Sequence, residues 1–186
     1  MADATERLNP AQLDAVHHLH GPCLVLAGAG SGKTRVITHK IARLLATGLE
    51  PAQIAAITFT NKAAVEMRER ARALVGARAA KTLVVSTFHS LGVRLLREDG
   101  PAIGLKPNFS ILDADDVLGV LRDVGTTDAK VARRWQWTIS LWKNQGLDAA
   151  QAAAAAADDD EAVAARVMQR YQERLAAYQA VDFDDL

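Results

Sequence analysis

Between residues 23 and 98 the chain alternates short apolar runs with longer stretches whose apolar positions return every three or four residues. The short runs CLVLA (23–27), IAAITF (54–59) and TLVVST (82–87) predict strands. The longer ones, KTRVITHKIARLLATG (33–48), NKAAVEMRERARALVG (61–76) and FHSLGVRLLRE (88–98), predict helices. Asn61 stands where a helix cap belongs, and Gly48 and Gly76 where helices stop. Wholly apolar strands separated by helices imply βαβ units and a parallel sheet covered on both faces. The fold class is therefore α/β.

After the Gly- and Pro-rich GPAIGLKP (100–107) the rhythm changes. FSIL (109–112) reads as one more strand, and beyond it only helices follow, over 113–123, 128–144, 148–156 and 159–180. Trp135, Ile139 and Trp142 share one helix face and are expected in the core. Asp158–Asp160 match the negative start of a helix. The expected organisation is a sheet domain over 1–106, an inserted all-helical subdomain over 107–180, and a return segment at 181–186.

Composition narrows the class. Hydrophobic residues are 49% and charged ones 24% of 186, ordinary for a globular protein. A lone cysteine, Cys23, permits no internal disulfide and points to a reducing compartment. MADATERLNP at the start is polar and predicts no secretory leader, and no run is long enough to cross a bilayer. A cytoplasmic protein with no membrane partner is the expectation. The net charge of zero conceals a basic half: residues 1–112 carry 14 Lys/Arg against 8 Asp/Glu, and residues 113–186 the reverse excess. A basic half suits a polyanion, although solvated faces produce the same imbalance.

The junction of the first strand and first helix, LAGAGSGKTR (26–35), carries the chemistry. Gly28, Gly30 and Gly32 let successive N–H groups turn inward at a helix N-terminus, which is a grip for phosphate. Lys33 would bridge the β- and γ-phosphates and the Thr34 hydroxyl would hold Mg²⁺, while Ala29 and Ser31 complete the loop. Ala27 occupies the place of the first glycine in G-x-x-x-x-G-K-[ST], a small departure. The TNKAA at 60–64 lacks the Asp of a guanine-reading motif, so GTP is excluded.

Four segments in order, LNPAQLDAV (8–16), AGAGSGKTR, AITFTNKAAVEMRER (56–70) and STFHSLGVRLL (86–96), resemble the Q motif and motifs I, Ia and Ib of superfamily 1A DNA helicases, the UvrD/PcrA/Rep group. The likeness is to the Rep branch above all and runs along nearly the whole chain. It implies a RecA-like sheet (domain 1A) with inserted helices (domain 1B). It also implies ATP with Mg²⁺, single-stranded DNA and its junction with duplex as partners, and 3′ to 5′ translocation and unwinding in replication or repair. Gln12 would read the adenine edge, or else is a surface residue of the first helix. Arg35 would lie beside the phosphates, with the nucleotide or in an interdomain ion pair.

At the strand tips the resemblance implies DNA contacts by Thr58, Phe59, Thr60 and Asn61, and by Thr87, Phe88 and His89. Phe59 is read either as a base-stacking residue or as core, and His89 as a DNA ligand, an interdomain contact or a structural histidine. Neither His89 nor the HHLH at 17–20 has partners for zinc. Lys130, Arg133, Arg134 and Lys143 are either phosphate contacts or a solvated face. FSILDADD (109–116) mimics a strand ending in a catalytic acid, but Asp113, Asp115 and Asp116 fit a helix start better, and the aspartates of DFDDL read as structural. The acid pair and arginines of ATP hydrolysis are expected beyond residue 186, leaving this chain as an amino-terminal piece with negligible turnover of its own. Two rivals stand beside a helicase: the motor of a helicase–nuclease complex, and a nucleotide-gated DNA-binding module without hydrolysis.

Overall fold

The computed structural model describes residues 8–186, and the polar start lies outside them. The chain divides into two compact units, one up to Ser90 and one from Leu91. In the first, helix α1 (Pro10–His17) precedes an irregular stretch and helix α2 (Lys33–Ala46). Strand β1 (Ala55–Thr58), helix α3 (Asn61–Val75), a short helix α4 (Ala77–Thr82) and strand β2 (Val84–Thr87) follow. The strands pair in parallel from Ala55 opposite Val84 to Thr58 opposite Thr87, so both end at one level. One sheet face is packed by Ala56, Leu83 and Val85 against Ile41 of α2 and Met67 and Ala71 of α3. On the opposite face Ala55 is exposed while Ile57, Val84 and Ser86 are partly buried, so this face is covered only in part and not fully as the apolar strands predict.

The predicted strand at 23–27 is not one. It takes no regular secondary structure and pairs with nothing among the described residues, leaving Leu24 85% and Leu26 86% exposed. Apolar composition supplies strand propensity, yet a strand exists only where a neighbour completes its hydrogen bonds. Helix α3 also begins one residue off its expected cap. Thr60, not Asn61, is the cap, its Oγ1 accepting from the Ala63 N–H at 3.1 Å.

The second unit carries the helical core. Helix α5 (Phe88–Asp99) leads in, and strand β3 (Ser110–Leu112) precedes helices α6 (Ala114–Gly125), α7 (Ala129–Asn144), α8 (Ala149–Ala155) and α9 (Asp159–Tyr178). Trp135, Ile139 and Trp142 are buried against Leu121, Met168 and Tyr171, as their spacing predicts. Asp113 caps α6 and Asp158 caps α9, so these aspartates serve helix starts. Gln179 takes a left-handed turn at φ 51 and stops α9. The chain then enters strand β4 (Ala180–Asp182), parallel to β3 across some seventy residues of sequence.

That last strand is held by a buried charge cluster. Lys143 Nζ lies 2.7 Å from both oxygens of Asp182 and 2.7 Å from Oδ1 of Asp185. The Tyr171 hydroxyl donates to Asp182 at 2.7 Å. Burial alone would push Asp182 up, but the Lys143 ammonium and these hydrogen bonds hold it below the usual carboxylate range. Burial raises the Tyr171 phenol, and its bond to Asp182 raises it further. Lys143 is thus no phosphate contact: its side chain is 7% exposed and its charge is spent inside. Replacing it by methionine leaves two carboxylates without their cation and should cost about 3–5 kcal/mol, read as a lower urea midpoint.

His39 on α2 gives a second stability prediction. Burial first, and the Arg35 charge second, hold it below its ordinary 6.5. As pH falls through 6.5 the unfolded chain takes up this proton before the folded one, so stability should fall and then level off below the depressed folded value. A thermal-melt series from pH 8 to 5 should show this slope, and His39→Gln should lose it.

Candidate nucleotide and nucleic-acid site

Every helix leaves the N–H groups of its first turn without helical partners. In this chain α1, α3, α6, α7 and α9 close that end with the side chains of Asn9, Thr60, Asp113, Asp128 and Asp158. Helix α2 does not. It starts from Gly32 with no side-chain cap and no acidic residue in its first turn. Helix α4 also starts from a glycine, Gly76, without a side-chain cap, but it is only six residues long, so the fourteen-residue α2 is the better suited to an outside anion.

The loop leading there is shaped by glycine. Gly30 and Gly32 take φ of 74° and 84°, where side-chain-bearing residues are strained. A Cβ on Gly32 would also come within 2.9 Å of the Gln12 amide. Ser31 Oγ donates to the Gly28 carbonyl at 2.7 Å. Lys33 folds back over the loop, its ammonium donating to the carbonyls of Gly28 at 2.7 Å and Ala27 at 3.0 Å. Gln12 ties α1 to the loop: Oε1 accepts from the Asn9 N–H at 3.0 Å and Nε2 donates to the Ser31 carbonyl at 2.9 Å. A cavity of about 580 Å³ opens beside the loop, lined by Gln12, Ala15, Val25, Gly28, Lys33 and Ile37 among others.

All ten residues read as a nucleotide grip, Gln12 and Ala27–Arg35, therefore gather around this bend. Gly28, Ala29, Gly30 and Ser31 are exposed, and Thr34 and Arg35 are half-buried on the first turn of α2. Asn9, which fixes Gln12 through the cap of α1, escaped the sequence reading; the Asn-Pro-x-Gln spacing of a capping box was its signal.

The tips of β1 and β2 form a second group. Parallel pairing at Thr58–Thr87 sets the next two residues, Phe59 and Phe88, side by side with ring centroids 5.5 Å apart at 45°. Both are open to solvent, at 87% and 55%, so Phe59 is not core. Thr60 and Asn61 lie exposed at the start of α3, and His89 is exposed on α5. Thr87 differs. It is 7% exposed, and its hydroxyl donates to Ser90 Oγ at 2.9 Å while receiving the Ser90 N–H. Arg68 was also missed by pattern: its guanidinium donates to the Val85 carbonyl and pins α3 to β2.

An uncapped helix start behind a glycine bend, in a unit that also holds a parallel strand pair, is the arrangement of an α/β protein of the phosphate-loop class. Comparison with known proteins gives the family. Residues 8–186 match the UvrD/REP helicase N-terminal domain, and the chain belongs to that family. It is 45% identical over 185 residues to the ATP-dependent DNA helicase Rep of Escherichia coli K12, covering 97% of this chain and 28% of Rep. The Salmonella typhimurium Rep is likewise 45% identical. The ATP-dependent DNA helicase PcrA of Staphylococcus aureus Mu50 is 43% identical, across 96% of this chain and 25% of PcrA. The chain thus spans about a quarter of the length of these relatives.

Gly32→Ala tests the bend. The strained φ should cost about 1–2 kcal/mol in chemical denaturation, more than an alanine at Gly28, whose φ is unstrained and whose Cβ would meet nothing within 4 Å.

Proposed function

We propose that this chain is the ATP- and DNA-binding portion of an ATP-dependent DNA helicase that moves along single-stranded DNA. The observation that carries the reading is the uncapped start of α2 with the Lys33 ammonium already poised over the glycine bend. Residues 1–106 would form the nucleotide-binding sheet domain, 107–180 the inserted helical subdomain, and 181–186 the return toward the sheet.

Each residue has a physical task in this reading. The N–H groups at the head of α2 and the bend would bind the phosphate oxygens, favoured by the helix dipole. Lys33 would exchange the carbonyls of Ala27 and Gly28 for β- and γ-phosphate oxygens, trading neutral acceptors for charged ones and strengthening each bond. Thr34, one residue on, fits as a magnesium ligand, and the ion would offset triphosphate charge when bound. Gln12 would orient the adenine edge, and Arg35 would add positive charge beside the phosphates. At the strand tips Phe59 and Phe88 would stack on bases, which suits a single strand and not a closed duplex. Thr58, Thr60, Asn61 and His89 would supply polar contacts to the backbone. Thr87, closed on Ser90, would set the position of Phe88 instead of meeting DNA itself. Direction of movement, junction recognition and hydrolysis belong to the longer protein in this proposal.

Two titrations test it. A fluorescent ATP analogue with Mg²⁺ should bind this chain, and Lys33→Ala should weaken it about 10-fold or more. Labelled oligo-dT should bind with Phe59→Ala costing about 1–3 kcal/mol in affinity. Equal affinities for wild type and variant in either titration would overturn the corresponding half of the proposal.

A further inference from the structure

Helix α7 has two opposed faces. One carries Trp135, Ile139 and Trp142 into the helical core. On the other, Lys130, Arg133, Arg134, Trp137 and Leu141 fall within an arc of about 100° at 100° per residue. Trp137 is 72% and Leu141 43% exposed, an apolar pair one turn apart on a face that also carries the three basic residues and Asn144. Among the described residues Lys130 and Arg133 take part in no ion pair. Arg134 does: its Nη2 lies 2.7 Å from Oδ2 of Asp160 on α9.

We infer that this face of α7 is a docking surface for a short acidic peptide segment of a partner protein that carries a bulky apolar side chain among its carboxylates. Charge complementarity carries the assignment. The stripe already holds one carboxylate, that of Asp160, in a charge-assisted bond, and Lys130 and Arg133 offer the same chemistry with none bound. Tryptophan and arginine are the residues that concentrate energy at protein interfaces, and both stand here in one exposed row. A nucleic-acid backbone would use the cations but leave Leu141 with nothing to bury against. An acidic and apolar segment would use both. This surface lies apart in sequence from the bend and strand tips, so it stands whether or not the nucleotide reading does.

The probe is a labelled peptide of four aspartates followed by Leu-Phe, titrated against this chain by fluorescence anisotropy. Trp137→Ala should weaken it about 10-fold, and the Lys130→Gln/Arg133→Gln pair should weaken it similarly and flatten its salt dependence. A peptide ending in Ser-Ser should bind at least about 10-fold more weakly, since it cannot bury apolar surface on Trp137 and Leu141. Lys33→Ala should change nothing. These positions are exposed, so unchanged melting curves verify folding. No binding, or binding that Trp137→Ala leaves intact, overturns the inference. So does an inert peptide alongside a duplex whose affinity falls in these same variants, which would make the face a nucleic-acid surface. A sedimenting dimer dissolved by Trp137→Ala would assign the face to a second copy and overturn it equally.

Discussion

A helix cannot satisfy its own first N–H groups, and how each end meets that constraint organises this protein. Where a side-chain oxygen closes the end, as at Asn9, Thr60 and Asp113, the helix is finished locally and serves packing. Where Gly32 stands instead, no side chain closes the end of α2, and the helix dipole stands behind its first donors. The left-handed glycines, the folded-back lysine and the Gln12 strut are all consequences of building a bend that leaves those donors available. The same logic extends to the strand tips. Parallel pairing delivers β1 and β2 to one level, and Thr60 and Thr87 settle the chain there while the rings beyond them stay open.

The helical unit answers a different problem, that of fixing a short strand far from its partner in sequence. Three residues of β4 cannot hold themselves against β3. The Lys143 ammonium, shared between Asp182 and Asp185 and backed by the Tyr171 hydroxyl, supplies the missing attachment from α7 and α9. Asn144 adds a bond to Asp184 at 2.9 Å. Since both carboxylates converge on one buried cation, each member depends on the others. Where α5 passes this segment, Gly92 leaves no room for a Cβ beside the Leu186 backbone.

Local signals were readable from the chain alone. The glycine spacing with Lys33 and Thr34 marks the bend, because backbone conformation and phosphate chemistry are both encoded within a few residues. Helix faces such as Trp135–Ile139–Trp142 are equally local. What depends on distant partners was not readable. Lys143 looks like any basic surface residue until Asp182, 39 positions on, is brought to it. The stretch 23–27 has strand composition, but whether it pairs depends on neighbours the pattern does not name. Phe59 reads as a stacking platform because its strand ends there, yet a core reading stays open, since an aromatic ring carries no mark of which side of a strand tip it will occupy. Asn61 and Thr60 are both good caps, and one residue of register separates them.

In the proposed reading the Gln12 amide would span two recognition tasks that are usually drawn apart. Its nitrogen rests on the Ser31 carbonyl, and it sits where any side chain at Gly32 would have to go. A purine that drew this amide to itself would release the crest of the glycine bend at the same moment. Base identity and phosphate capture would then be one cooperative event, and a bare tripolyphosphate would meet a stiffer loop than a complete nucleotide does.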